Sequence, residues 1–195
     1  MSSLRTFMYH DVRDVKDTKF PDRYNLKSFL NLEQFDKQVK FIAENYDIIS
    51  PQDYKFINFN EDDDHKFAIL TFDDGLVDHY NNVLPILKNY SVPFFIPVEQ
   101  VTKNTMIHSH KIQFILAASD EKELVKDILS NFTDNETIWP HFSHTEWKDN
   151  WWSKEMIFVT NFLRNYDGFK LDKYSYTDEL FEKYVGVKVE EFAKD

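Results

Sequence analysis

Over the first hundred positions, apolar runs and polar stretches alternate with two different periods. Residues 4–9 (LRTFMY) form a short, mostly apolar run that predicts a buried strand ending at His10-Asp11. Residues 13–30 are polar and irregular. From Asn31 the spacing changes: Leu32, Phe35, Val39 and Ile42 recur at helical intervals, with Phe41 widening the stripe. This predicts an amphipathic helix capped by Asn31. DIIS at 47–50 predicts a short strand, and Ser50-Pro51 ends it and can open a helical turn. KFAILTF at 66–72 is nearly continuous in apolar residues, the signature of a parallel strand covered on both faces. Asp73-Asp74-Gly75 follows, then a helical stretch over 76–89 that Pro85 should kink. VPFFIPV at 92–98 predicts another buried strand. Strand and helix alternate, so the first half predicts an α/β arrangement with a parallel sheet or barrel.

The second half carries helical periodicity over 109–130 and 151–165, with no strand pattern. Trp139-Pro140 and the stretch 147–152 mark an aromatic loop between them. Thr177 opens a short helix, TDELFEKY, with Asp178 and Glu179 in its dipole-favoured first turn, and Gly186 breaks it. VKVEEFAKD starts another helical pattern without a C-cap, so the expectation is a chain cut from a longer parent. The division that follows is 1–103, strands and helices of a barrel-like unit, and 104–195, a helical insertion or extension.

Composition narrows the chemistry. The 195 residues hold 23 Lys and Arg against 34 Asp and Glu, a net charge of −11, which argues against binding nucleic acid or an anionic membrane. There is no cysteine, so there is no disulfide and no thiolate metal site, and any metal must be held by His, Asp or Glu. No apolar run is long enough for a membrane span, and the start lacks an apolar signal core, so a cytoplasmic location is expected. Only three glycines occur, where average usage would give about fourteen. Gly75, the one in the first half, therefore marks a special turn.

Thr71-Phe72-Asp73-Asp74-Gly75 is the sharpest signal. Adjacent carboxylates at the C-terminal end of a buried parallel strand sit where α/β folds place their chemistry. Gly75 permits a tight turn that brings both acids toward one crevice. Two such charges do not both ionise easily without a cation; a divalent metal on one leaves the other as a base. The plain alternative is a solvated Asp-Asp-Gly turn.

This pentapeptide, with Phe7-Met8-Tyr9-His10-Asp11-Val12 at the opening, resembles the polysaccharide deacetylase family of chitin, peptidoglycan and N-acetyl-sugar deacetylases. Ile49-Ser50-Pro51 and Val92-Pro93-Phe94-Phe95 follow in matching order. The resemblance covers about the first hundred residues. It implies a distorted (β/α) barrel, here partial, with a mostly helical C-terminal segment. It implies Asp73 as general base, Asp74 as metal ligand and a divalent ion, usually zinc, that polarises the acetamide carbonyl and activates a water. The implied substrate is an N-acetylated carbohydrate.

The family's second pair of ligands, a His-Ser/Thr-x-x-His motif, has no match. His108-Ser109 is followed by Ile112 and His144-Thr145 by Lys148. Either the motif lies beyond Asp195 in a longer parent, or the chain is a non-catalytic relative that binds carbohydrate or serves assembly. His10 is either part of the crevice or a satisfied core histidine. His108 and His110 are possible site members against a loop role, and His141 and His144 are weaker ligand candidates. His79 is expected on an exposed helix face and His65 in solvent, beside a solvated acidic run at 61–64. Trp147, Trp151 and Trp152 suit a sugar-stacking platform or the packing of the helical segment. An aspartate phosphotransferase would want an acid at position 75, which is Gly. A barrel without its later strands exposes sheet edges and apolar surface, so self-association is a further expectation.

Overall fold

A computed structural model of the chain describes residues 2–22, 29–57, 64–144, 152–169 and 172–194. The chain is mixed α/β with a helical majority, and its contacts divide it into two compact units. One holds the described residues of 1–19 and 27–98, and the other those of 20–26 and 99–195.

The first unit is built on a three-stranded parallel sheet ordered β1 (Ser3–Tyr9), β5 (Lys66–Phe72), β4 (Asp47–Ile48). β2 (Asp11–Val12) and β3 (Phe29–Leu30) form a second, two-stranded parallel pair. Among the described residues these strands make two open sheets. β5 is central, and Ala68, Ile69, Leu70 and Phe72 are buried from both of its faces, which is why its apolar run is nearly unbroken. β1 is not the fully buried strand expected: as an edge strand it leaves Arg5, Thr6 and Met8 exposed and inserts Tyr9 into the core. The pairing runs in register from Ser3↔Lys66 to Tyr9↔Phe72.

The helix α1 (Leu32–Asn45) covers the sheet. Its start is a capping box: Gln34 N–H donates to Asn31 Oδ1 (2.7 Å) and Asn31 N–H to Gln34 Oε1 (3.0 Å). Phe35, Val39 and Ile42 are buried as the spacing predicts, but Phe41 does not widen the stripe; it is 60% exposed. Tyr9, Phe35 and Phe72 meet ring to ring at 5.2–5.9 Å and form the centre of this core. Burial pushes the Tyr9 phenol up to about 12.

After β5 the helical stretch contains a π-turn at His79–Val83, which runs into the short α2 (Leu84–Leu87). Leu84 N–H donates to the His79 carbonyl, a five-residue span. The widened turn leaves Pro85 in the first turn of α2, where its missing N–H costs no bond. The expected kink is thus absorbed as a π-turn. The strand expected at 92–98 reduces to one bridge, Phe72↔Phe94, made by Phe72 N–H to Pro93 O (3.1 Å) and Phe95 N–H to Phe72 O (2.7 Å). Pro93 and Pro97 cannot donate to a ladder, and Phe95 and Ile96 are exposed.

The second unit is helical: α3 (Val98–Lys103, starting at the boundary), α4 (His108–Ala118), α5 (Glu121–Ser130), α6 (Asn135–Phe142), α7 (Lys154–Asn165), α8 (Lys173–Val185) and α9 (Val189–Phe192). The periodicity over 109–130 is divided, because Asp120 caps a new helix through Lys122 N–H and Glu123 N–H. Ser153 and Asp172 cap α7 and α8 the same way, and α8 begins four residues before the Thr177 start expected, at Lys173. Trp139-Pro140 lies within α6 and not in a loop. Of the tryptophans in the expected aromatic loop, Trp147 and Trp151 fall outside the described residues, and Trp152 is half-buried. Ile115, Leu124, Ile128, Phe158, Phe162 and Phe181 make the core. No helix among the described residues is long and apolar enough to cross a membrane.

Candidate active site at the strand ends

The register Tyr9↔Phe72 determines what meets at the C-terminal edge of the sheet. Each strand continues by one residue, to His10 and Asp73, and Asp73 N–H extends the ladder to the Tyr9 carbonyl (3.0 Å). The chain then reverses through two consecutive left-handed residues, Asp74 at φ 77° and Gly75 at φ 61°. Asp tolerates this region better than most residues, and Gly enters it without cost. Gly75 is required on a second ground: a Cβ there would stand 3.0 Å from Ile96 Cγ2 and 3.2 Å from Pro97 Cδ. The turn points Asp74 back to β1, and its Oδ2 lies 3.8 Å from His10 Nε2. Both side chains are partly solvent-accessible, so His10 is not buried in the core.

Beneath this rim the first helical turn after Gly75 grips the β1–β2 segment with polar side chains. Arg13 donates from Nε to Asp78 Oδ2 (2.8 Å) and from Nη2 to the same oxygen. Asn82 donates to the Val12 carbonyl (2.7 Å) and to Asp78 Oδ1 (3.3 Å). Asp11 and Asp78 are both buried. Burial raises the Asp78 carboxyl above its ordinary value; Arg13 opposes the rise and the neighbouring Asp11 adds to it. His79 is not on the exposed face expected. It is 4% exposed, and its Nε2 lies 2.9 Å from the His10 carbonyl. Arg13, Asp78, His79 and Asn82 were not singled out by motif. The available signal was the 78/82 spacing, which puts both on one side of a helix that opens at a strand-end turn.

The other histidines belong to other segments of the chain. His108 and His110 lie on α4 in the second unit. His108 Nε2 bonds the Leu163 carbonyl (3.0 Å), its ring meets Tyr174 edge-on at 4.9 Å, and burial lowers its proton affinity. His110 is half-buried within that helix, its N–H bonded to the Ile107 carbonyl at 2.9 Å. His141 is exposed and packs edge-on against Phe142 (4.6 Å), and His144 is exposed. His65 is exposed, as expected, and stacks on Phe67 at 4.8 Å beside Asp47.

Among the described residues, no group of three or more His, Asp or Glu is arranged to hold a metal ion. His10 and Asp74 offer two donors on one side of the crevice, with Asp73 alongside in sequence, short of the four-coordinate shell zinc takes. The donor set at the strand ends is thus partial.

Residues 60–134 match the family model described as polysaccharide deacetylase. No curated protein and no solved structure matches the chain. Across that stretch, which contains Asp73, Asp74, Asp78 and His79, the chain is similar to the polysaccharide deacetylases.

Proposed function

We propose that the chain is a hydrolase that removes N-acetyl groups from a sugar or polysaccharide, acting on a carbon–nitrogen bond that is not a peptide bond. The observation that carries this reading is the convergence of His10 and Asp74, 3.8 Å apart, beside Asp73 at the end of a buried parallel strand. The carboxylate of Asp73 takes a proton from water as its oxygen attacks the acetamide carbonyl carbon. The C–N bond then breaks, the nitrogen leaves protonated as an amine, and acetate is the second product. Asp74 and His10 face the same water-accessible crevice, where they bind and orient the polar groups around the reacting carbonyl. A divalent ion, which the family resemblance implies, would supply Lewis acidity, and His10 and Asp74 would hold part of its shell. In this reading residues 1–103 carry the site, and 104–195 form a helical insertion or extension.

The test is acetate release from N-acetylglucosamine oligomers by the chain supplied with zinc or cobalt. Release that Asp73→Asn abolishes supports the reading, and no release from any N-acetylated sugar sinks it. A second reading, a non-catalytic carbohydrate-binding relative, is favoured by the two-donor set; binding of the oligomers without acetate release would establish it.

A further inference from the structure

We propose that His79 is a positioning residue that fixes the His10 backbone, and with it the imidazole facing Asp74, through a hydrogen bond from its ring to the His10 carbonyl. The role in catalysis rests on the deacetylase reading. The hydrogen bond itself does not.

His79 Nε2 lies 2.9 Å from the His10 oxygen. A carbonyl only accepts, so Nε2 carries the hydrogen. Nδ1 is buried and has no hydrogen-bond partner. The ring is also confined: it meets Phe72 edge-on at 5.5 Å and leans on Phe94 at 5.5 Å. Phe72 is the last residue of β5, immediately before Asp73. His79 is therefore braced against one strand end while it holds the other.

Asn82 acts alongside it. Its amide holds the Val12 carbonyl at 2.7 Å, so one helical stretch grips the carbonyls on both sides of Asp11. With its backbone held there, the His10 side chain leaves the strand in a set direction, 3.8 Å from Asp74. Positioning of this kind matters because a displacement of about 1 Å at a reacting centre can cost on the order of a hundredfold in rate.

The experiment is nitrogen-resolved NMR of the histidine rings in the full chain. The expected result is a His79 ring that carries a hydrogen on Nε2, bonded to the His10 carbonyl. A ring whose Nε2 carries no hydrogen overturns the proposal. His79→Phe keeps the aromatic wedge and removes the donor; His79→Gln keeps an N–H at the same place. The His10 ring signals should shift and lose their contact with Asp74 in the Phe variant and return in the Gln variant. Unchanged His10 signals in a folded His79→Phe protein overturn the proposal. If His79→Phe does not fold, the wild-type tautomer and the Gln variant decide. In an active chain, His79→Phe should lower kcat by about ten- to a hundredfold with KM little changed. A chain that shows the tautomer and the His10 coupling yet releases no acetate keeps the positioning and loses the deacetylase reading.

Discussion

His10 Nε2 lies 3.8 Å from Asp74 Oδ2, although the two belong to different strand ends. Parallel pairing of β1 with β5 brings them to one edge, and the left-handed turn at Asp74 closes the remaining gap. If both side chains ligate one ion, the effects of removing them should not add. Calorimetric titration with zinc should show weaker binding in His10→Ala and in Asp74→Ala, and a double variant little weaker than the worse single one. Equal affinity in all four proteins would place the ion elsewhere.

Gly75 and Gly186 both have positive φ, 61° and 82°, but only Gly75 is crowded. Alanine at 186 carries the backbone penalty alone, about 1–2 kcal/mol. At 75 it carries that and the contacts with Ile96 and Pro97. Urea unfolding should rank Gly75→Ala as the more destabilised; equal losses would mean that the 94–97 segment yields freely.

Asp78 sets a pH dependence. Burial raises its carboxyl above the ordinary value of 3.8. The folded state then binds more proton than the unfolded one, so this contribution is complete below 3.8 and is lost as pH rises through the raised value. Asp78→Asn lacks that loss. Measured by urea unfolding, its stability relative to wild type should improve between pH 3.8 and neutrality. A constant difference would refute the assignment.

Two phenylalanines of α1 should separate cleanly. Phe35 is 0% exposed and meets Tyr9 and Phe72; Phe41 is 60% exposed. Phe35→Ala should cost about 3–5 kcal/mol, and Phe41→Ala should stay within about 0.5 kcal/mol. Thermal melts of the two variants check this.

The parts legible in sequence were those where local pattern and burial coincide. β5 could be read because both of its faces are covered, and α1 because Asn31 caps it and its stripe repeats. The strand-end acids stood out because Asp-Asp-Gly follows an apolar run. Three things resisted reading. Phe41 lies beside the stripe, and periodicity alone cannot say how wide a face the sheet will accept. Residues 92–98 have the composition of a buried strand, but two prolines remove donors that pairing needs. His79 looked exposed from regular helical spacing, whereas the π-turn that begins at it changes which residues face inward. Its partner, the His10 carbonyl, is 69 positions away.

Parallel pairing makes the crevice a joint product of two distant stretches of chain. The stretch matching the deacetylase family begins at residue 60, so it contains the strand-end acids and the helix that grips the first strand, but not His10. A fragment confined to that stretch would carry the acids and lack the histidine that faces them. Closing the long loop between the two stretches costs entropy before any contact returns it. The crevice therefore forms only once the sheet has assembled, and a slip of one residue in the pairing would leave both strands standing and the crevice gone.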